Sequence, residues 1–447
     1  MIPARSSALR RISLFVAAAL VGAAPAAVLV FLAQRYAIEA PFADEWELIP
    51  LLEKSYAGRL TWADLLSQHN EQRPFFPRLL MLGIARLTGW NLRCEQMLNV
   101  ALAGAALAAL GWALRRTPSP PDARPLASLL PFLAIFFFSL KQWENWTMGW
   151  QLLFFLSLFA AIAGFACLLA APRSRPAFAA ALALGVIATF SAGNGLVFWP
   201  VGFLAASSSV APQGRPERVF RLVLWSLVSA TAIILYLVDF QVTAHSVSLA
   251  ANFAEPQVFL LFVCSYLGSP LTDRFAVWAG AAGVVLFVGL AAPSIRARDP
   301  GLSLTLGLYA VGGAILTAAG RAHLGADEAL CSRYVTFGQL LWIANLIAIW
   351  DRLLAAGEQK KPAVKNRALV PLLAAWLAIL AAGVAASSSC AYRFSSRFVF
   401  LAPAQRELAA LADDELLSRL YPDPKVVRER TPFLKEHRLS YFRRQGR

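Results

Sequence analysis

The chain has 447 residues, 58% of them hydrophobic and only 15% charged, with a mean hydropathy of +0.57. That composition excludes a soluble domain of this length and makes the bilayer the solvent. A formal net charge of +15 would suit nucleic acid, but the excess lies in short loops between apolar runs and in a basic tail after residue 390, so no nucleic-acid partner is expected.

A spanning helix needs about 20 apolar residues, and the first such run, Ile12 to Ala33, follows Arg5, Arg10 and Arg11. A cleaved signal peptide is the competing reading. The apolar stretch exceeds the roughly 7 to 15 residues of a signal core, so an uncleaved first helix is expected.

Beyond it comes the longest internal polar segment, from about Gln34 to Glu95, opening Ala40-Pro41-Phe42-Ala43-Asp44-Glu45-Trp46. Pro41 ends the helix and sets the Asp44 and Glu45 carboxylates near the lipid headgroups. Helical spacing of apolar residues from Glu47 to Tyr56 and from Trp62 to Ser67, with Gly58 between, predicts two short interfacial helices, with Trp46 and Trp62 suited to that layer. The run Gln68-His69-Asn70-Glu71-Gln72-Arg73 then returns toward the membrane through Pro74 and Pro77. An imidazole, a carboxylate and a guanidinium in one short polar run make a plausible site lining.

Further spans are predicted at 96 to 114, 126 to 140, 151 to 171, 177 to 190, 196 to 210, 221 to 238, 275 to 292, 302 to 320, 334 to 350 and 368 to 386. The brief apolar segment 257 to 271 ends in Gly268-Ser269-Pro270 and reads as re-entrant or interfacial, which leaves the count open by one pair. The fold class is therefore an all-α polytopic membrane protein with about eleven transmembrane helices. Residues 1 to 386 form the multi-spanning domain, with 34 to 95 as its first outside loop, and 387 to 447 form a small cap. In the cap, Arg406 to Leu420 is expected to be helical with Asp413-Asp414-Glu415 on its polar side, and Tyr421-Pro422-Asp423-Pro424 breaks it.

With the N-terminus inside, short cytoplasmic loops hold fifteen Lys and Arg and short outside loops hold four, Lys141, Arg274, Arg321 and Arg333, as the positive-inside rule requires. All four histidines then lie outside. The predicted helix interiors contain no Asp, Glu, Lys, Arg or His, which counts against an ion-coupled transporter. Five cysteines show neither a CxxC pair nor metal spacing; Cys331 and Cys390 are either a disulfide or two free thiols. The loop from Lys141 to Gln151 carries Trp143, Trp146 and Trp150, which suit an aromatic belt and, as the alternative, sugar stacking. Ser191 to Gly195 reads as a tight hairpin turn.

An Asp-Glu pair just past the first helix, interfacial helices, a Pro-containing return, and Ser332-Arg333-Tyr334-Val335 opening a late helix together resemble the GT-C glycosyltransferases that use polyprenyl-phosphate sugars, especially protein O-mannosyltransferases and lipid A aminoarabinose transferases. The resemblance covers the architecture through about residue 386, with motif support in the first loop and at Arg333. The chain departs from those families in carrying His69-Asn70-Glu71-Gln72-Arg73-Pro74 where many members have a Pro-Pro-rich return. What the resemblance implies is a transferase of the bacterial inner membrane, N-terminus cytoplasmic and C-terminus periplasmic, that moves a sugar from a polyprenyl-phosphate donor to a periplasmic or lipid-linked acceptor. Asp44 would be the general base and Glu45 would orient the acceptor or tune that base. His69, Glu71, Arg73, Arg321, Arg333 and Tyr334 would bind substrate, with the arginines on the lipid phosphate. No metal is required, although Asp44, Glu45, His69 and Glu71 would hold a divalent ion if they converged. A lipid-linked saccharide flippase and a non-catalytic component of envelope assembly are the alternatives.

Overall fold

The computed structural model describes residues 20–116, 126–170, 174–208, 215–241, 255–297, 300–357 and 362–444. The start of the predicted first helix, several basic loop residues and His245 lie outside the described residues. Among the described residues there is no strand beyond one isolated bridge, His69 to Gln72. The protein is an all-α, multi-pass membrane protein.

Among the described residues, seven helices are long and apolar enough to cross a membrane: Leu92–Arg116, Gly149–Leu169, Pro216–Leu237, Ala276–Ala297, Leu302–Leu324, Ser332–Ala355 and Leu369–Glu407. Shorter apolar helices, Leu20–Arg35, Arg175–Thr189 and Pro256–Gly268, join them. Two predicted spans are shorter than expected. The 126 to 140 segment holds only the Leu130–Phe137 α-helix after a tight 3-10 turn, and the 196 to 210 segment holds Phe198–Ser208. In the first case the chain turns at Phe138 into a buried polar stretch instead of prolonging the helix.

Small residues let the backbones approach, as is usual where lipid supplies no hydrophobic drive between helices. A Cβ on Gly268 would lie 1.9 Å from the Ala276 carbonyl oxygen, and one on Gly280 would lie 1.9 Å from that of Cys264. The short Pro256–Gly268 helix is thereby seated on Ala276–Ala297.

Segments predicted to lie outside meet at one end of the bundle. Gln72 reaches Gly193, Glu71 reaches Arg321, Lys141 pairs with Asp273, and Ser387 Oγ accepts from the Leu140 amide at 2.9 Å. At the other end Glu217 pairs with Arg175 and Arg221, and Arg352 donates to the Leu290 carbonyl. The two sets of loops are segregated as the alternating topology demands.

In the first loop the two short helices expected from the spacing are Ile49–Tyr56 and Trp62–Leu66, separated by Gly58 at φ +68°. A third helix, Phe75–Thr88, was not expected from the sequence. Its Pro77 sits in the first turn, where a missing N–H costs nothing. Trp62, Leu79, Leu80 and Leu87 stay exposed along this face while Trp46 does not. Trp46 is fully buried, its indole N–H donating to the Pro41 carbonyl at 2.8 Å. It therefore anchors the loop rather than the headgroup layer.

Three arginines brace helix C-termini, where carbonyls lack helical partners and the dipole favours a cation. Arg78 donates to the carbonyls of Leu65 and Ser67 at the end of Trp62–Leu66, and Arg86 donates to Ser55 near the end of Ile49–Tyr56. Arg73 does the same for the Pro216–Leu237 helix, through Tyr236 and Val238.

The cap lies on the first loop and shares a second hydrophobic core with it, in which Trp46, Leu52, Trp90, Leu417, Leu434 and Phe442 are buried. The long last span bends at Cys390 and Ala391, close to the predicted boundary, and continues as Tyr392–Glu407. The helix expected over Arg406 to Leu420 is interrupted. Leu411 turns into the left-handed region, and Asp413 caps a separate helix, Asp414–Ser418, by accepting from the Leu416 amide at 3.1 Å. All five cysteines are free, so the Cys331 to Cys390 disulfide does not form.

Candidate functional site

Asp44 stands in a 3-10 turn, Ala43–Leu48, entered through Ala43 at φ +48°, a region alanine avoids. The cap holds this turn in place. The Ala43 amide donates to the Leu420 carbonyl at 2.8 Å, and Arg430 donates to the Trp46 carbonyl at 2.7 Å and to Glu47 at 3.1 Å. Tyr421 hydrogen-bonds the same Glu47 at 2.7 Å. The Asp44 side chain remains 46% exposed, open to an incoming hydroxyl.

Glu45 points the other way, because successive residues of a 3-10 turn differ by roughly 120°. It is buried, accepting from the Phe42 amide at 2.8 Å and the Gly149 amide at 2.6 Å. The carboxyl thus clasps the Asp44 turn to the segment that opens the Gly149–Leu169 helix. Glu95, also buried and held by the Trp90 indole at 3.2 Å, packs against Gly149 as well. Burial pushes Glu45 up to about 7, against the opposing pull of the Arg397 charge and of the backbone donors. Glu45 is therefore a positioning residue. It does not share the open side on which Asp44 is exposed.

A stability prediction follows from that shift. Between about pH 4.5 and 7 the unfolded chain releases the Glu45 proton while the folded chain keeps it. Stability from this group is complete below the lower value and is lost as pH rises through the upper one, by up to about 3 kcal/mol. Glu45→Gln should flatten this loss, read as the difference in thermal midpoint between variant and wild type at about pH 5 and about pH 8. An identical pH slope in both would contradict it.

His69 opens a tight hairpin closed by paired backbone hydrogen bonds with Gln72, both 2.9 Å, with Asn70 at φ +47°. Its Nε2 lies 3.7 Å from Asp44 Oδ1, and its ring meets Trp150 with centroids 4.7 Å apart. Trp146 and Trp150 are buried, so the aromatic-belt reading fails for both. The same hairpin carries Glu71 to the opposite side, where Arg321 donates to it at 2.7 Å.

Arg321 belongs to a larger cluster. Its Nη1 donates to Tyr334 Oη at 3.1 Å and lies 3.7 Å from Glu328, which also pairs with Arg333 and accepts from Tyr334 at 3.2 Å. Asn145 ties this helix start to the tryptophan-bearing segment, donating to the Arg333 carbonyl at 3.2 Å and to Thr336 at 2.7 Å. Six of the eight predicted site residues thus fall in two groups joined by the His69–Gln72 hairpin, Asp44 with His69 on one side and Glu71 with Arg321, Arg333 and Tyr334 on the other.

Arg73 does not join them. Its Nε, Nη1 and Nη2 go to the carbonyls of Tyr236, Leu66 and Val238, so the guanidinium expected on phosphate closes a helix end. Nor do the four residues considered for a divalent ion converge. Asp44 faces His69, Glu45 faces Gly149 and Glu71 faces Arg321, and among the described residues no group of three or more His, Cys, Asp or Glu could hold a metal ion. The Ser191 to Gly195 turn is taken up by packing, with the Gly193 amide on Gln72 and Asn194 against Tyr266. Glu95 and Arg397 were not singled out from the sequence, and Gly149 and Trp150 were read there only as part of a tryptophan-bearing loop. No periodicity or motif marks them, because each acts through a contact between distant segments.

No family model, no curated protein and no solved structure matches this chain.

Proposed function

We propose that this chain is a GT-C-like glycosyltransferase of the bacterial inner membrane that moves a sugar from a polyprenyl-phosphate carrier to an acceptor hydroxyl, with the first-loop face periplasmic. The observation that supports the reading is an accessible carboxylate and an arginine cluster joined through one short hairpin. Asp44 and His69 stand at one end of the His69–Gln72 hairpin, and Arg321, Arg333 and Tyr334 gather where Glu71 leaves the other.

In this reaction Asp44 accepts the proton of the acceptor hydroxyl as its oxygen bonds to the anomeric carbon. The bond from that carbon to the phosphate oxygen breaks, and the electron pair leaves with the lipid phosphate. Arg321 and Arg333 meet the charge developing there, and Tyr334 adds a hydroxyl donor. One displacement inverts the anomeric configuration. His69 orients Asp44, and Glu45, clasped to Gly149, fixes the turn that presents it.

Arg321→Gln and Arg333→Gln, assayed in lipid nanodiscs with a labelled polyprenyl-phosphate sugar, should each lower kcat/KM by roughly 10- to 100-fold, the loss of one charged hydrogen bond to phosphate. Wild-type kinetics in both folded variants would remove these arginines from the donor site.

A further inference from the structure

Two donors and a further guanidinium gather around a single oxygen of Glu328. Its Oε1 pairs with Arg333 Nη2, lies 3.2 Å from Tyr334 Oη and lies 3.7 Å from Arg321 Nη1. Two guanidinium groups and a phenol around one oxygen form the set of donors that a phosphate oxygen requires. Arg333 Nε is buried and has no hydrogen-bond partner among the described residues, so the cluster holds a donor that the carboxylate leaves unused.

The donors and the acceptor also differ in how they are held. Arg321 ends the Leu302–Arg321 helix, while Arg333 and Tyr334 begin Ser332–Gly357, both well-packed elements. Glu328 hangs on the short connection between them, in the three-residue turn Glu328–Leu330, three residues past Gly325 at φ +89°. The fixed pieces carry the cations; the connection carries Glu328, and the first-loop hairpin carries Glu71, which accepts from Arg321 at 2.7 Å.

We propose that Glu328 is a built-in anion that holds the Arg321, Arg333 and Tyr334 donors in register until a phosphate group takes its place. A phosphate offers several oxygens where the carboxylate offers one to this cluster, and so reaches the unused Arg333 Nε as well. The Glu328 charge then stands against the incoming anion and weakens its binding. The choice of phosphate rests on the proposed function; the exchange of one anion for another involves no sugar and is tested without one.

The test is binding of dodecyl phosphate, and separately of inorganic phosphate, to the detergent-solubilised full chain by calorimetry. Glu328→Gln should bind about tenfold more tightly than wild type, the scale of one charged interaction removed from the competitor. Equal or weaker binding by a folded Glu328→Gln would overturn the proposal, because it would make Glu328 a support for the arginines rather than their competitor. Tightening confined to dodecyl phosphate identifies a lipid-borne group, tightening confined to inorganic phosphate identifies the free ion, and tightening with both shows that the phosphate group alone displaces Glu328. In the wild type, amide hydrogen exchange across residues 325 to 331 should quicken on adding the tighter ligand, since the connection loses its anchor; unchanged or slower exchange overturns the proposal even where the variant fails to fold. Wild-type protein that passes these binding tests yet consumes no sugar donor would leave the exchange standing and remove the transferase reading alone.

Discussion

Replacing Asp44 by Asn should lower donor turnover by roughly 10²- to 10⁴-fold, the usual contribution of a positioned general base, with little change in donor affinity. The substitution preserves size and removes the proton acceptor. Because the Asp44 side chain is half exposed and its ionic neighbour, His69, stands 3.7 Å away, little folding energy depends on its charge, so thermal stability should stay close to wild type. A loss of turnover accompanied by an equal loss in donor binding would place Asp44 in recognition instead of proton transfer.

A large loss of stability is expected at Gly149. A Cβ there would lie 1.9 Å from Glu95 Oε2, 2.8 Å from Glu95 Cβ and 3.0 Å from its carboxyl carbon. Glu95 is buried and held by Trp90, so it has nowhere to retreat. The same residue offers its amide to Glu45, and any shift to relieve the clash breaks that clasp. Gly149→Ala should therefore cost about 3 kcal/mol, at the upper end of overpacking effects. Gly83 is the matched control, since it lies inside the Phe75–Thr88 helix and a Cβ added to it would meet nothing within 4 Å. Gly83→Ala should stabilise by up to about 1 kcal/mol through helix propensity. Similar thermal midpoints for the two variants would refute the clasp.

Much of this fold was legible in the sequence because lipid imposes length and polarity on every crossing segment. The apolar runs and the Lys and Arg bias place loops at two ends, and the structure brings Gln72 to Gly193, Lys141 to Asp273 and Glu71 to Arg321 at one of them. The two short helices of the first loop were legible for the same reason, from helical spacing. The Phe75–Thr88 helix was hidden because Pro77 reads as a breaker unless its place in the first turn is known.

The site was legible by segment and not by residue. Asp44 and Glu45 are adjacent and chemically alike, yet one is open and the other buried; only the geometry of the turn separates them. Arg73 and Arg321 are both arginines near the same polar run, and sequence does not distinguish a guanidinium that closes a helix end from one that faces a carboxylate. The choice is made by Tyr236 and Val238, which lie more than 160 residues along the chain from Arg73. Trp150 lay hidden among tryptophans that composition alone assigns to a membrane belt. Its contact with His69 depends on the Glu45 clasp, which draws residues 43 to 48 and 149 to 151 together.

The most direct test of the central claim is donor consumption by the wild-type chain. Purified protein in lipid nanodiscs would be given a panel of polyprenyl-phosphate sugars with candidate acceptors, and sugar release would be followed by mass spectrometry. The transferase reading predicts that at least one donor is consumed, with the free lipid phosphate appearing in equal amount. Well-folded protein that consumes no donor across the panel would contradict it, leaving transport or envelope assembly as the use of the same helices.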